Sequence, residues 1–189
     1  MATNRLGITV VELIAVMSLI GIMVTIAAPM LDKERFQLNG AALSVGSTFA
    51  AQQRNAVMRQ HNIVLAFDTT ANSMRVHYDL NNDNTVDAGE NFSVVELEEG
   101  VVFGRGASPA RAMSSASISL AGTQDGMPAL TFRRNGSSSE EAIIYLTSQR
   151  ARMFDGTTYA ADGRAVEIER ATARVRCYSH ASGTWEQTC

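Results

Sequence analysis

Residues 8–31 read ITVVELIAVMSLIGIMVTIAAPML, a run of 24 residues whose only charge is Glu12. A bilayer core is crossed by about 20 apolar residues at about 1.5 Å of rise each, so the run is long enough to span. A carboxylate at mid-bilayer costs about 2.5–3.5 kcal/mol even on lenient scales, and its presence calls for a role. A secretory signal peptide has a shorter apolar stretch, about 7–15 residues, ending at a small-residue cleavage site. This run is too long for that, and Glu12 interrupts its start. A plain signal anchor explains the length but neither Glu12 nor the Gly7 that precedes the run. Arg5 lies before the run, while Asp32-Lys33-Glu34-Arg35 beyond it cancels. The amino terminus is therefore expected in the cytoplasm and the remaining chain on the far side of the membrane.

Beyond the run lie about 150 residues, enough for one globular domain. A net charge of −3 in 189 residues supplies no global field toward nucleic acid or an anionic surface. Lys33 is the only lysine among 16 basic residues. Both cysteines, Cys177 and Cys189, fall at the carboxyl end. In an exported chain an even count favours a bridge over two free thiols. Closing so short a loop is worth about 3 kcal/mol in the chain-entropy model.

Helical periodicity continues past Leu31. Phe36, Leu43, Ala50 and Val57 recur every seven residues, with Ala42, Phe49 and Ala56 beside them, and Arg35, Gln52, Arg54 and Arg59 take polar positions. This pattern predicts one long helix from about Ile8 to Gln60, about 80 Å long. Both rows form one apolar stripe against a sheet, and Pro29 kinks or locally melts the helix. After Gln60 the period becomes two. Strands are predicted at Ile63–Phe67, Met74–Tyr78, Phe92–Leu97, Val101–Phe103, Ser117–Leu120, Ala129–Arg133, Ala142–Leu146, Ala165–Glu169 and Ala173–Tyr178. Asp125-Gly126, Asn135-Gly136, Asp155-Gly156 and Asp162-Gly163 are among the turns between them. The segment Asn135–Ser139 reads as a hairpin, and Arg105 to Ser117 as a mobile surface loop. A helix followed only by strands gives an α+β fold, with the N-terminal hydrophobic helix packed on an antiparallel sheet domain.

The leader MATNRLG, followed by Ile8-Thr9-Val10-Val11-Glu12, resembles the class III signal of type IV prepilins, whose pattern is Gly-Phe-Thr-Leu-Ile-Glu; Ile8 stands where the family has an aromatic residue. Pro29 also matches the family. The resemblance implies cleavage by a prepilin peptidase between Gly7 and Ile8, methylation of the new amine, and pairing of Glu12 with the amine of a neighbouring subunit. It divides the chain into a leader, 1–7, a membrane or filament-core helix, 8–31, and a periplasmic domain, 32–189. Ala129–Gly136 with Ile143–Leu146, and Ala51–Val57 before Ile63, resemble the core of pseudopilin H and FimT/FimU-like minor pilins. Pilins often close a C-terminal loop with a disulfide, which supports a Cys177–Cys189 bridge. The implied partners are other pilins or pseudopilins in a helical filament, the prepilin peptidase and an inner-membrane assembly platform.

Asp79, Asn81, Asp83, Asp87 and Glu90 occupy positions 1, 3, 5, 9 and 12 of an EF-hand-like loop, with the Thr85 carbonyl at position 7. Ca²⁺ takes six to eight such oxygens. Asn84 replaces the usual glycine and strands replace the flanking helices, so a metal-free hairpin tip is the competing reading; no cofactor is required. Ala173-Arg174-Val175-Arg176 resembles the Gly-Arg-x-Arg element of DNA-uptake minor pilins, with alanine for glycine. Glu167 and Glu169 interleave with these arginines, so a solvated strand face is the preferred reading and nucleic acid is not an expected partner. No Walker loop, GxSxG, CxxC or HExxH is present. His61, His77 and His180 read as surface or edge residues and Trp185 as a packing residue of the C-terminal loop. The expected function is therefore structural, as a minor pilin or pseudopilin. A DNA-receptor pilin and a membrane-anchored exported protein of other function are the alternatives.

Overall fold

The computed structural model describes residues 9–27, 33–83, 85–87, 89–111, 116–154 and 157–189. Gly7, Ile8, Pro29, Asn84 and the Asp155-Gly156 turn lie outside the described residues. The chain divides into two compact units, Met1–Lys33 and Glu34–Cys189.

In the first unit, helix α1 spans Val10–Ala27. Thr9 caps it: its Oγ1 accepts the Glu12 backbone N–H at 3.3 Å, and its carbonyl accepts the Leu13 N–H at 3.1 Å. Thr9-x-x-Glu12 is thus a capping-box sequence, with a carboxylate in the first turn where the helix dipole favours it. Of the predicted 24-residue span, the described residues include these 18 helical ones, about 27 Å at 1.5 Å each. Among the described residues no helix is long and apolar enough to cross a membrane.

The second unit opens within α2, Lys33–Arg59, one residue after its start. Leu38, Ala41, Ala42, Val45, Gly46, Phe49 and Ala56 are buried, the i, i+3, i+4, i+7 spacing of one face. The expected double stripe is corrected here. Phe36 and Leu43 stand 80% and 52% exposed, and Val57 is exposed as well. Leu43 and Val57 each lie one position, about 100° of rotation, from buried Ala42 and Ala56, and Phe36 lies two positions from buried Leu38.

Among the described residues ten strands follow: β1 Asn62–Asp68, β2 Ser73–Asp79, β3 Phe92–Glu96, β4 Val101–Phe103, β5 Thr123–Gln124, β6 Met127–Phe132, β7 Ala142–Ser148, β8 Arg164–Ile168, β9 Val175–Ala181 and β10 Thr184–Gln187. They form two antiparallel five-stranded sheets, ordered β3-β2-β1-β6-β5 and β10-β9-β8-β7-β4. A short helix α3, Gln149–Met153, and a 3-10 turn, Thr157–Asp162, lie between β7 and β8. The core joins Phe49 of α2 to Phe67 and Phe132 of the first sheet at ring distances of 6.0 and 6.2 Å, with Ile144, Leu146 and Val166 from the second.

Two expectations change at the join of the sheets. The Asn135-Gly136 turn forms, with the Arg133 N–H donating to Ser137 O and the Gly136 N–H to Arg133 O. The returning chain, however, pairs with β6 only at Phe132↔Ser138. It then crosses to the second sheet as β7, so β6 and β7 are not a hairpin. Buried Ser138, whose N–H donates to Arg170 O, fixes that crossing. The expected strand Ser117–Leu120 is a single bridge, Ile118↔Ile144.

The segment 104–117 is an excursion from β4 whose ends meet at one residue: the Gly104 N–H donates to Tyr145 O, and the Tyr145 N–H donates to Ser117 O. The Arg111 N–H donates to the Tyr145 hydroxyl at 2.7 Å, and the Arg111 guanidinium lies 3.4 Å over the Tyr178 ring. Residues 105–111 are therefore pinned to the second sheet, which corrects the mobile-loop expectation for them; 112–115 lie outside the described residues.

Candidate functional site

Helix α1 carries the first candidate residue, Glu12. Its apolar side chains are uncovered all round, from Val10 at 74% exposed to Met23 at 69%. Its few hydroxyls turn back on the helix: Ser18 Oγ donates to Ile14 O at 2.8 Å, and Thr25 Oγ1 donates to Ile22 O at 2.8 Å. Polar groups satisfied inside their own helix suit a segment that water does not reach. The cap at Thr9 was missed in the sequence reading, although the T-x-x-E spacing announced it.

A charged hub ties the start of α2 to the second sheet. Asp162 is 1% exposed and accepts hydrogen bonds from Arg150 Nε at 2.8 Å, Arg150 Nη2 at 3.2 Å and Ser148 Oγ at 2.6 Å. Arg35 reaches it at 3.7 Å, Glu34 pairs with Arg150, and Arg164 Nε donates to Asn39 Oδ1 at 2.8 Å. Burial pushes the Asp162 carboxyl up, but the hydrogen bonds from Arg150 and Ser148 and the charges of Arg150 and Arg35 outweigh it and hold it below the usual range. Desolvation lowers Arg164. Residues more than a hundred positions apart meet here, and no local pattern in the sequence signals it.

Cys177 and Cys189 are bonded, with Cα atoms 4.8 Å apart. The bridge ties the end of β10 to β9 and rests on α2 at Gly46, where an added Cβ would come 3.0 Å from Cys177 Sγ. Gly46 is thus required by close approach, not by a turn.

In the loop after β2, Asn81 Nδ2 donates to Asp83 Oδ2 at 2.9 Å and to Asp87 Oδ2 at 3.1 Å. The Asp83 N–H donates to Asp79 Oδ1 at 3.2 Å, and Glu90 accepts the Leu80 and Asp87 N–H groups at 2.7 and 3.1 Å. Thr85 gives Asp83 both its N–H, at 2.8 Å, and its hydroxyl, at 2.6 Å. The Thr85 hydroxyl is the main cause that lowers the Asp83 carboxyl below its ordinary range. The six expected ligands thus share one loop, the tip of the β2–β3 hairpin. Among the described residues no group of three His, Cys, Asp or Glu is placed to hold a metal ion.

The two arginines are not presented together. Arg174 precedes β9 and is exposed; Arg176 is half-buried, directly across from Glu167 of β8. Glu167 also pairs with Arg111 at 3.3 Å. His77 and His180 are buried, not at the surface, each against an aromatic ring: Phe92 at 5.4 Å and Trp185 at 5.3 Å. Burial lowers His77. Trp185 also packs on Tyr145 at 5.9 Å and donates its Nε1–H to Pro109 O at 3.2 Å.

An N-terminal apolar helix before a helix-and-antiparallel-sheet unit gives this chain an α+β fold of the pilin-like kind. No family model matches the chain. It is similar to the pilin-like protein PilA1 of Thermus thermophilus, with 28% identity over 98 residues, 51% of this chain and 63% of the relative, so it matches less than two thirds of that relative's length. Its fold is similar to that of the minor pseudopilin EpsH from the type II secretion system of Vibrio cholerae, with a TM-score of 0.51, 11% identity and coverage of 78% of this chain and 99% of that one. The type IV minor pilin FimU of Pseudomonas aeruginosa gives a TM-score of 0.48 and 16% identity over 82% of this chain and 97% of that one.

Proposed function

We propose that this chain is a structural subunit, a minor pilin or pseudopilin of a type IV pilus or type II secretion pseudopilus, and not an enzyme. The observation that carries this reading is α1, apolar on every side and uncovered, with its hydroxyls satisfied internally. Such a surface needs lipid or other apolar helices around it. In this reading a prepilin peptidase cleaves between Gly7 and Ile8 and methylates the amine. The mature subunit waits in the inner membrane with its domain in the periplasm, then enters a filament through an assembly platform. Glu12 pairs with the amine of a neighbouring subunit, since a carboxylate in low dielectric is tolerable when paired. N-terminal sequencing of protein from membrane and sheared-filament fractions tests this: the expected chain begins at a methylated Ile8 in both. A chain beginning at Met1 in a peptidase-positive host would refute the processing, and absence from filaments would refute the role.

A Ca²⁺ ion in the loop Asp79–Glu90 is proposed as a secondary property. It rests on the spacing of Asp79, Asn81, Asp83, Asp87 and Glu90 within one loop, where the Asn81 amide now bridges the Asp83 and Asp87 carboxylates. Binding there requires that amide to turn its oxygen inward and the carboxylates to draw together.

A further inference from the structure

Two clefts, of about 670 and 620 Å³, adjoin at Arg152 and run along β4. The β1–β2 turn lines both, through Thr69 and Thr70 in the first and Ala71 and Asn72 in the second. Thr147 at the end of β7 lines the first, Gln149 of α3 the second, and Arg152 of α3 both. The two halves carry opposite charge. Arg105 and Arg152 line the first, together with hydroxyls of Thr69, Thr70, Ser117 and Thr147, and no carboxylate is among its lining residues. Glu96, Glu98 and Glu99 line the second. In a protein of net charge −3 the cationic half is a local construction, not a consequence of the overall balance.

The cationic half also holds unused donors. Thr147 is 1% exposed, and its Oγ1 has no hydrogen-bond partner among the described residues; Arg105 Nε is likewise buried and unpartnered. Buried polar groups are ordinarily paired, so an orphan hydroxyl and an orphan guanidinium N–H on two residues that line one cleft point to an acceptor supplied from outside. The backbone makes room for both. Gly106 has φ +57°, and a Cβ there would come 2.7 Å from Thr147 Oγ1. Only glycine lets the chain pass over that hydroxyl and carry Arg105 to the cleft.

We propose that this groove binds an extended polypeptide segment of another protein, bearing a carboxylate toward one end and a cationic side chain toward the other. The carboxylate lies against Arg152, whose planar fork accommodates it bidentately, and against Arg105, whose Nη1 also donates to Ser108 O. The cation lies against Glu96 and Glu99. A free anion would use only half of the groove, and a nucleic acid would meet the carboxylates of the other half. The proposal stands independently of the filament role, because every residue it uses lies in Glu34–Cys189 and none contributes to α1.

The test uses the full chain in detergent micelles and a labelled, end-blocked peptide with paired lysines, a Gly-Ser spacer and paired glutamates. Its glutamate-only, lysine-only and all-serine versions serve as comparisons. The doubly charged peptide is expected to bind about tenfold more tightly than the all-serine version, as charge-assisted hydrogen bonds at both ends allow. Arg105→Ala should weaken the two glutamate-bearing peptides and spare the lysine-only one, and Glu99→Ala should do the reverse. Arg152→Gln, at an exposed position, repeats the first test if Arg105→Ala lowers the melting midpoint. Inorganic phosphate should reduce the doubly charged peptide to the affinity of the lysine-only peptide and no further. Equal binding of all four peptides overturns the proposal. So does a glutamate-only peptide that binds as tightly as the doubly charged one, which would leave a simple anion site.

Discussion

Helices α1 and α2 are near neighbours in the sequence, and both present apolar residues at helical spacing, yet they solve different problems. Helix α2 buries one row, Leu38, Val45, Phe49 and Ala56, against two sheets of its own chain, and turns Arg54 and Arg59 outward. Helix α1 has no polar face to turn outward, and its side chains are exposed on all sides. In the proposed reading the first helix takes its partner from outside the chain, whereas the second has one within it. The contrast teaches that apolar periodicity reports the need for burial, while the distribution of polar residues around the helix reports whether the chain meets that need itself.

Substitutions should therefore separate the two helices cleanly. Phe49→Ala removes a ring packed on Phe67 and Phe132 and should cost about 4 kcal/mol of stability in urea denaturation. Leu19→Ala in α1 should leave that transition unmoved. Equal effects would mean that α1 packs within the chain after all.

The next effect tests how α2 is anchored. Asp162→Asn leaves Arg150 and Arg35 without their buried carboxylate and should cost about 3 kcal/mol. Because the folded carboxyl titrates below the ordinary 3.8, its contribution is complete above the unfolded range and is lost as pH falls through the lower folded value. The wild-type advantage over Asp162→Asn should thus be constant near neutrality and shrink below about pH 4. An advantage that persists undiminished in acid would remove the ion pair as its cause.

Cys177→Ser, which opens the loop under α2, should cost between about 2 and 3 kcal/mol. Two titratable thiols in non-reduced periplasmic protein would contradict the bridge. The smallest effect concerns the β2–β3 tip. Calcium at a few millimolar should raise stability by about 1 kcal/mol through linkage, given affinities of about 10⁻⁴ to 10⁻³ M for extracellular sites. Asp87→Ala should abolish the gain, and a melting curve indifferent to Ca²⁺ and EDTA would leave the tip closed by hydrogen bonds alone.

What the sequence made legible follows the same division. Local periodicity located α1 and α2 as helical and found β1, β2, β4 and β8 within a residue or two, because burial repeats along each element. Asp125-Gly126 closes the β5–β6 turn with both residues at positive φ, the conformation such pairs favour. The hub around Asp162 stayed invisible because its members come from α2, the start of α3 and the turn before β8, and only the tertiary fold brings them together. The Asn135-Gly136 turn misled for a related reason: local chemistry sets the turn, but the long-range pairing of Ser138 with Arg170 decides which sheet receives the next strand. Among the candidate site residues, the disulfide pair was legible from count and compartment. The opposition of Arg176 and Glu167 needed the β8–β9 register.

The central claim is that α1 finds its partner in other subunits and that Glu12 governs that pairing. The most direct measurement compares wild type and Glu12→Ala for their share in sheared filaments, with membrane insertion and urea denaturation followed in the same preparations. The account predicts normal insertion, an unchanged denaturation midpoint and a large loss from the filament fraction. A Glu12→Ala subunit recovered from filaments at the wild-type level would contradict it.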